Sequence, residues 1–359
     1  MNRKVWILAA ATIVLAVLIP CFLRAGEVGS SSAYKVLPAI RHGNLTVFPV
    51  VAAKSHDTQG FLTLDEGLKS GEVVVTESGM ARAMIRRRHP MPISPGGAQV
   101  NQLVLINNSK RPLLLLAGEI VTGGKQDRVI GKDRIVPAES DPVDLSVFCV
   151  EPGRWTGASM NFKSLDAAMA QPAVRAKAMG AKNQQQVWDE VGKSREAIAG
   201  MVSAPSAAPL RSTTSYARVM DNEEVKKQVD SVAEPIQHNY QSLIRQLRDQ
   251  NAVGVVVAVN GQIVWADVFA STNLLERYWP KLVRSYAAEA VVTRAKGSEV
   301  ELRSAEDFIE HMDGRHETVD SEPGVYRHTE IAGDSFRAFE LTSLLPKTGF
   351  DLHVAKMAE

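Results

Sequence analysis

Charged, amide and aromatic side chains crowd most closely in one stretch of this chain, and their types suit the capture of an anion. The stretch reads Gly118-Glu119-Ile120-Val121-Thr122-Gly123-Gly124-Lys125-Gln126-Asp127-Arg128 and resumes as Cys149-Val150-Glu151-Pro152-Gly153-Arg154-Trp155. Apolar, strand-like runs at 113–116 and 143–150 bracket it. A charge beside a buried run costs several kcal/mol unless it finds a partner, so these charges pair with one another or face a ligand. On a strand, Gln126 and Arg128 would share one face while Asp127 points with Val129 to the other. Amide and guanidinium on one face suit a phosphate or carboxylate, with Lys125 and Arg154 adding charge and Trp155 a ring for stacking. Glu119 and Glu151, each where a strand meets a turn, are the carboxylates placed to act as a general base. The opposing reading pairs Glu119 or Glu151 with Arg128 or Arg154 in a buried network and lets Trp155 cover the edge of the core.

Other chemistry finds less support. A phosphate-binding P-loop needs Gly six residues before Lys125 and a hydroxyl after it, but Glu119 and Gln126 stand there. Gly123-Gly124 can still turn tightly and turn backbone N–H groups toward an anionic oxygen. His311, Asp313, His316 and Glu317 form the one local cluster resembling metal ligands, but the spacing is not that of a helical ligand pair, so no metal site is assigned. Gly-x-Ser-x-Gly, His-Glu-x-x-His and paired Cys-x-x-Cys motifs are absent from the sequence. Of the two cysteines, Cys21 and Cys149, only Cys149 lies in the body, so no internal disulfide forms there and the thiol reads as a small buried residue. No cofactor is implied.

The elements that must position these residues follow from periodicity. Strands are expected at 45–52, 72–77, 102–106, 112–121, 127–136 and 143–150, with a short helix at 61–69 stopped by Gly71. Residues 82–97, with three consecutive arginines and three prolines, read as an exposed loop. Beyond Trp155 the period turns helical, first over 184–202. After a Ser/Ala/Pro linker at 203–215, Asp221 with Glu224 should open a long amphipathic helix. Its stripe is Val225, Val229, Val232, Ile236, Tyr240, Leu243 and Leu247. Pro235 should kink or split that helix. Asn260-Gly261 marks a hairpin between 254–260 and 262–269. Helices near 271–292 and 305–312 precede strands at 324–331, 335–341 and 350–355. Strands at both ends with helices between them exclude a regular alternating parallel fold.

The expected class is therefore α+β: a mainly antiparallel sheet with a long helical insertion at about 160–250, preceded by an N-terminal transmembrane or signal segment. The domains read as a signal-anchor or signal peptide at 1–25, a linker at 26–44 and a single α+β domain at 45–359. Arg3 and Lys4 precede an apolar run at 5–23 that is about long enough to span a bilayer, and small residues for cleavage after Ala25 are lacking. The expectation is a membrane-anchored, extracytoplasmic protein, periplasmic or at the cell surface, with cleavage and secretion as the second reading. A formal net charge of +1 over 359 residues argues against a nucleic-acid-coating protein.

The paired segments Gly118 to Arg128 and Cys149 to Trp155 resemble the ARG- and rhodanese-phosphatase-superfamily-associated protein domain family, ARG meaning ADP-ribosylglycohydrolase. The similarity covers most of the chain after about Leu45, including the Asn260-Gly261 hairpin and the helix with Trp279. The resemblance brings no established activity; association with ADP-ribose-handling enzymes implies a role near ADP-ribose or nucleotide metabolism. Two readings follow. In one, the domain binds or processes a phosphorylated or ADP-ribose-like molecule through Lys125, Gln126, Arg128, Arg154 and Trp155, with Glu119 or Glu151 as base. In the other it is a non-catalytic, membrane-anchored envelope protein that meets a protein partner, or a second copy, through the helix at about 222–248.

Overall fold

The computed structural model describes residues 33–78, 99–157, 159, 161–247, 250–293 and 299–359. Strands β1 (Tyr34–Val36), β2 (Ile40–His42) and β3 (Leu45–Ala52) come first, so the stretch expected as a linker contributes two strands that pair with β3. A two-residue β4 (Leu62–Thr63) leads into α1 (Leu64–Ser70), which Thr63 and Glu66 cap reciprocally and Gly71 stops at φ 74°. Then come β5 (Val73–Glu77), β6 (Gln102–Asn107), β7 (Leu113–Leu115), β8 (Glu119–Gly123), β9 (Arg128–Ile130), β10 (Arg134–Val136), β11 (Val143–Cys149) and β12 (Phe162–Met169).

Helices follow: α2 (Pro172–Ala176), a π-helical turn at Lys177–Ala181, α3 (Gln184–Ala199), α4 (Ala204–Ser212), α5 (Tyr216–Asp221) and α6 (Glu223–Ile244). The chain ends with the hairpin β13 (Asn251–Val259) and β14 (Gln262–Phe269), then α7 (Thr272–Val292), α8 (Leu302–Glu310), β15 (Arg315–Glu322), β16 (Tyr326–Ala332), β17 (Phe336–Ser343) and β18 (Asp351–Ala358).

Three sheets form. The largest has the order β1-β3-β13-β14-β18-β17-β16-β15, with β2 also on β3; a six-stranded sheet runs β12-β8-β9-β11-β6-β5, and a small one β10-β7-β4. Among the described residues every strand pairing is antiparallel except β4 with β7. Strand β3 is buried on both faces by alternation: Leu45, Val47 and Val51 join the core with α6 and α7, while Phe48 and Val50 pack with Val300 and Ala305.

Several expectations are corrected. The antiparallel α+β body stands, but the fold-class expectation joined to it an N-terminal transmembrane or signal segment. Among the described residues no helix is long and apolar enough to cross a membrane, and the run at 5–23 lies outside them. The expected strand at 112–121 is broken where Gly118 turns at φ 95°, and that at 127–136 breaks at Gly131, where a Cβ would meet Phe148 at 2.9 Å. The insertion begins with β12 rather than a helix. The presumed linker at 203–215 is largely α4, with Pro205 in its first turn. Asn222, not Asp221, caps α6, because its Oδ1 accepts from the N–H groups of Glu224 and Val225; the Glu224 carboxylate reaches Ser203 instead. Pro235 does not split α6, since a missing N–H removes one helical bond while the stripe of Val225, Val229, Ile236 and Tyr240 stays buried in the core.

Candidate binding site

The Gly123–Arg128 turn does bind anions, and they are the protein's own. Gly123 and Gly124 take φ values of 126° and 48°, and a Cβ on Gly124 would sit 2.2 Å from the Phe162 ring. The turn's N–H groups are taken: Gly123 donates to Asp127 Oδ1 at 3.1 Å and Lys125 to Glu77 Oε1 at 2.8 Å. Asp127 also accepts from Ser215 Oγ at 2.8 Å. Burial, and then the neighbouring Glu151 charge, raise the Asp127 pKa.

Glu151 Oε2 accepts from the Asp127 N–H at 3.1 Å and meets Arg154 Nη2 at 2.6 Å, and that same nitrogen lies 3.4 Å from Asp127 Oδ1. The hydrogen bond to Glu151 raises the Arg154 pKa. Gln126 donates to the Glu151 carbonyl at 3.0 Å. Arg128 is fully buried and clamps backbone, donating from Nε to the Val100 carbonyl at 2.7 Å. Lys125 Nζ lies 4.9 Å from the Trp155 ring, which is 43% exposed.

Arg154→Ala should therefore leave two buried carboxylates facing each other and lower stability by about 1–3 kcal/mol. Urea midpoints measure this; a loss under about 0.5 kcal/mol would contradict the pairing.

Glu119 sits elsewhere. It begins β8 while Gly123 ends it, so the two stand about 13 Å apart at roughly 3.3 Å per residue. Its carboxylate accepts from the Leu116 N–H at 2.8 Å and from Lys281 of α7 at 2.9 Å, and Lys281 also pairs with Asp65. Burial raises the Glu119 pKa, and Lys281 opposes that. The structure thus gathers Gln126, Asp127, Arg128, Glu151 and Arg154, and leaves Glu119 with a different partner.

A third buried network carries no local signature in sequence. Asp267 of β14 holds Arg175 by two bonds of 2.9 and 2.8 Å, bonds Tyr286 of α7, and lies 3.1 Å from His353 Nε2. His353 Nδ1 is 2.5 Å from Asp133, which accepts from the Ala117 N–H at 2.7 Å. Arg175 also packs against Gly118, where a Cβ would lie 2.7 Å from its side chain. That approach, with the positive φ, accounts for the glycine.

One of several buried polar groups left open lies at a cavity of about 310 Å3 between the β9–β11 pair, the π-helical turn and strands β15 to β17. His328 lines it at 1% exposure, with neither ring nitrogen hydrogen-bonded. Burial lowers its pKa, so the ring is neutral at pH 7. Phe148, Phe339 and Met179 supply apolar walls. At the rim, Lys132 meets Asp320 at 2.5 Å and Lys182 pairs with Glu330. Two irregularities shape the rim: the π-helical turn ending in Lys182 at φ 50°, and a bulge in β15 that exposes Val319. Sequence reasoning missed His328, which stands in a strand of mixed residues, Tyr326–Ala332, with no local signal to single it out.

Among the described residues no group of three or more His, Cys, Asp or Glu side chains could hold a metal ion. His311 and Asp313 are exposed and 3.9 Å apart.

Fold and site together define an α+β domain in which Arg154 pairs with Glu151 and Asp127, Arg128 bonds backbone, and a buried imidazole on a cavity wall has no partner. The chain belongs to the ARPP-1 family, described as ARG and Rhodanese-Phosphatase-superfamily-associated Protein domain, whose model matches residues 33–355. No curated protein and no solved structure matches the chain.

Proposed function

We propose that this domain binds a small ring-bearing molecule of the phosphorylated or nucleotide-like class, seated in the cavity beside His328. The observation that carries the reading is His328 itself. A buried polar group without a partner costs about 1–3 kcal/mol and is rare in native proteins, so a ligand that bonds it recovers that energy. Neutral imidazole offers one donor and one acceptor, which match the edge of a base or a hydroxylated ring. Phe148 and Phe339 provide apolar surface, and Lys132 and Lys182 at the rim can exchange their carboxylate partners for an anionic group.

A volume of about 310 Å3 suits a base or sugar, with the anionic remainder outside. In this reading Arg128 and Glu151 brace the wall from behind, because β9 and β11 run from them toward Gly131 and Phe148. Glu119 and Glu151 are held by Lys281 and Arg154 and receive no role as a base, and no reaction is assigned.

His328→Leu tests it. Removing two unpartnered nitrogens should leave the melting temperature unchanged or raise it by about 2 °C. The variant should lose the stabilisation, about 2.7 kcal/mol at a hundred times Kd, that wild type gains from AMP, ribose 5-phosphate or ADP-ribose. A drop of several degrees without ligand, or an unchanged ligand response, contradicts the reading.

A further inference from the structure

A second cavity, of about 380 Å3, opens between the C-terminal end of α6 and the first half of α7. Tyr240 and Trp279 stack on its wall with ring centroids 4.2 Å apart, and Leu275, Ile244 and Ala252 complete the apolar lining. Tyr240 is 4% and Trp279 3% exposed, yet Tyr240 Oη and Trp279 Nε1 have no hydrogen-bond partner, nor does Thr272 Oγ1 on the same wall. Buried tyrosine and tryptophan ordinarily find one. Trp188 and Trp265 also leave their N–H groups unpaired, but those rings do not line this cavity. Pro280 also interrupts the helical bonding of α7 beside the cavity. It has no N–H to return to the Glu276 carbonyl four residues earlier, and both residues line the cavity. An indole donor and a phenol that donates or accepts thus stand on one largely apolar lining, which Arg245 and Glu276 join with opposite charges.

We infer that this cavity is a second ligand site, taking a flat, uncharged heteroaromatic molecule that carries both a hydrogen-bond donor and an acceptor. It shares no lining residue with the cavity at His328, so it stands or falls separately. A hollow of this size with a few convergent polar groups is the usual form of a small-molecule site.

Benzimidazole, with one donor and one acceptor, is the probe, and indene, of the same shape without either, is the control. Titration calorimetry and ligand-observed NMR on the whole protein should show benzimidazole binding more tightly than indene. Tyr240→Phe should weaken benzimidazole about tenfold, leave indene unchanged, and keep or raise the melting temperature, because the hydroxyl it removes bonds nothing. Ile244→Trp, which adds bulk to the lining, should block both. His328→Leu should change neither. No binding at millimolar benzimidazole, equal affinity in Tyr240→Phe, or loss in His328→Leu alone would overturn the inference.

Discussion

Asp267→Ala is expected to lower folding stability by about 3–5 kcal/mol, the range for removing one partner from a buried ion pair. Asp267, Arg175 and His353 have no exposed side-chain surface. Without the carboxylate, the Arg175 guanidinium stays buried with the Trp265 ring, 4.3 Å away, and the charge of Asp133 to offset it. The effect reaches beyond one contact because the network ties together separate parts of the fold. Asp267 and His353 lie on neighbouring strands of the nine-stranded sheet, Arg175 on α2, Tyr286 on α7, and Asp133 between β9 and β10. Urea unfolding should show a lower midpoint with an unchanged slope. A loss below about 1 kcal/mol would show that the network is not what joins these layers.

Raising the pH should weaken the protein through His353. Burial alone would lower the pKa of this imidazole, but Asp133 and Asp267 reverse the effect and raise it to about 9. A folded-state value above the ordinary 6.5 means that the stabilisation is complete below pH 6.5 and is lost as pH rises through about 9. The span corresponds to about 3 kcal/mol. Lys356, which burial lowers to about 8, titrates with the opposite sign, so the His353 contribution is read as a difference. The gap in melting temperature between wild type and His353→Gln should be wide at pH 6 and narrow by pH 9.5. A gap constant with pH would contradict the assignment.

What could be read from sequence was local. Asn260 and Gly261 adopt φ of 53° and 74° and close the β13–β14 hairpin, as that dipeptide demands. The apolar stripe of α6 lies against the core, and the strands around Val73, Val143 and Phe336 fall near their expected places. Partner choice was not local. The carboxylate of Glu119 is held by a lysine 162 residues away, and His353 reaches Asp133 across 220. No periodicity encodes such pairings. The expected shared face of Gln126 and Arg128 rested on strand alternation, but β9 begins only at Arg128, so Gln126 belongs to the turn and folds back onto Glu151. His328 passed unnoticed because its significance lies in having no partner, a property that exists only after every neighbour is placed.

The most direct test of where the ligand sits is calorimetric titration of AMP into wild type, His328→Leu and Arg154→Ala, all folded as judged by melting. The expected result is binding to wild type and Arg154→Ala with similar affinity and none to His328→Leu. Binding that survives in His328→Leu and fails in Arg154→Ala would place the ligand on the Glu151–Arg154 cluster and contradict the assignment.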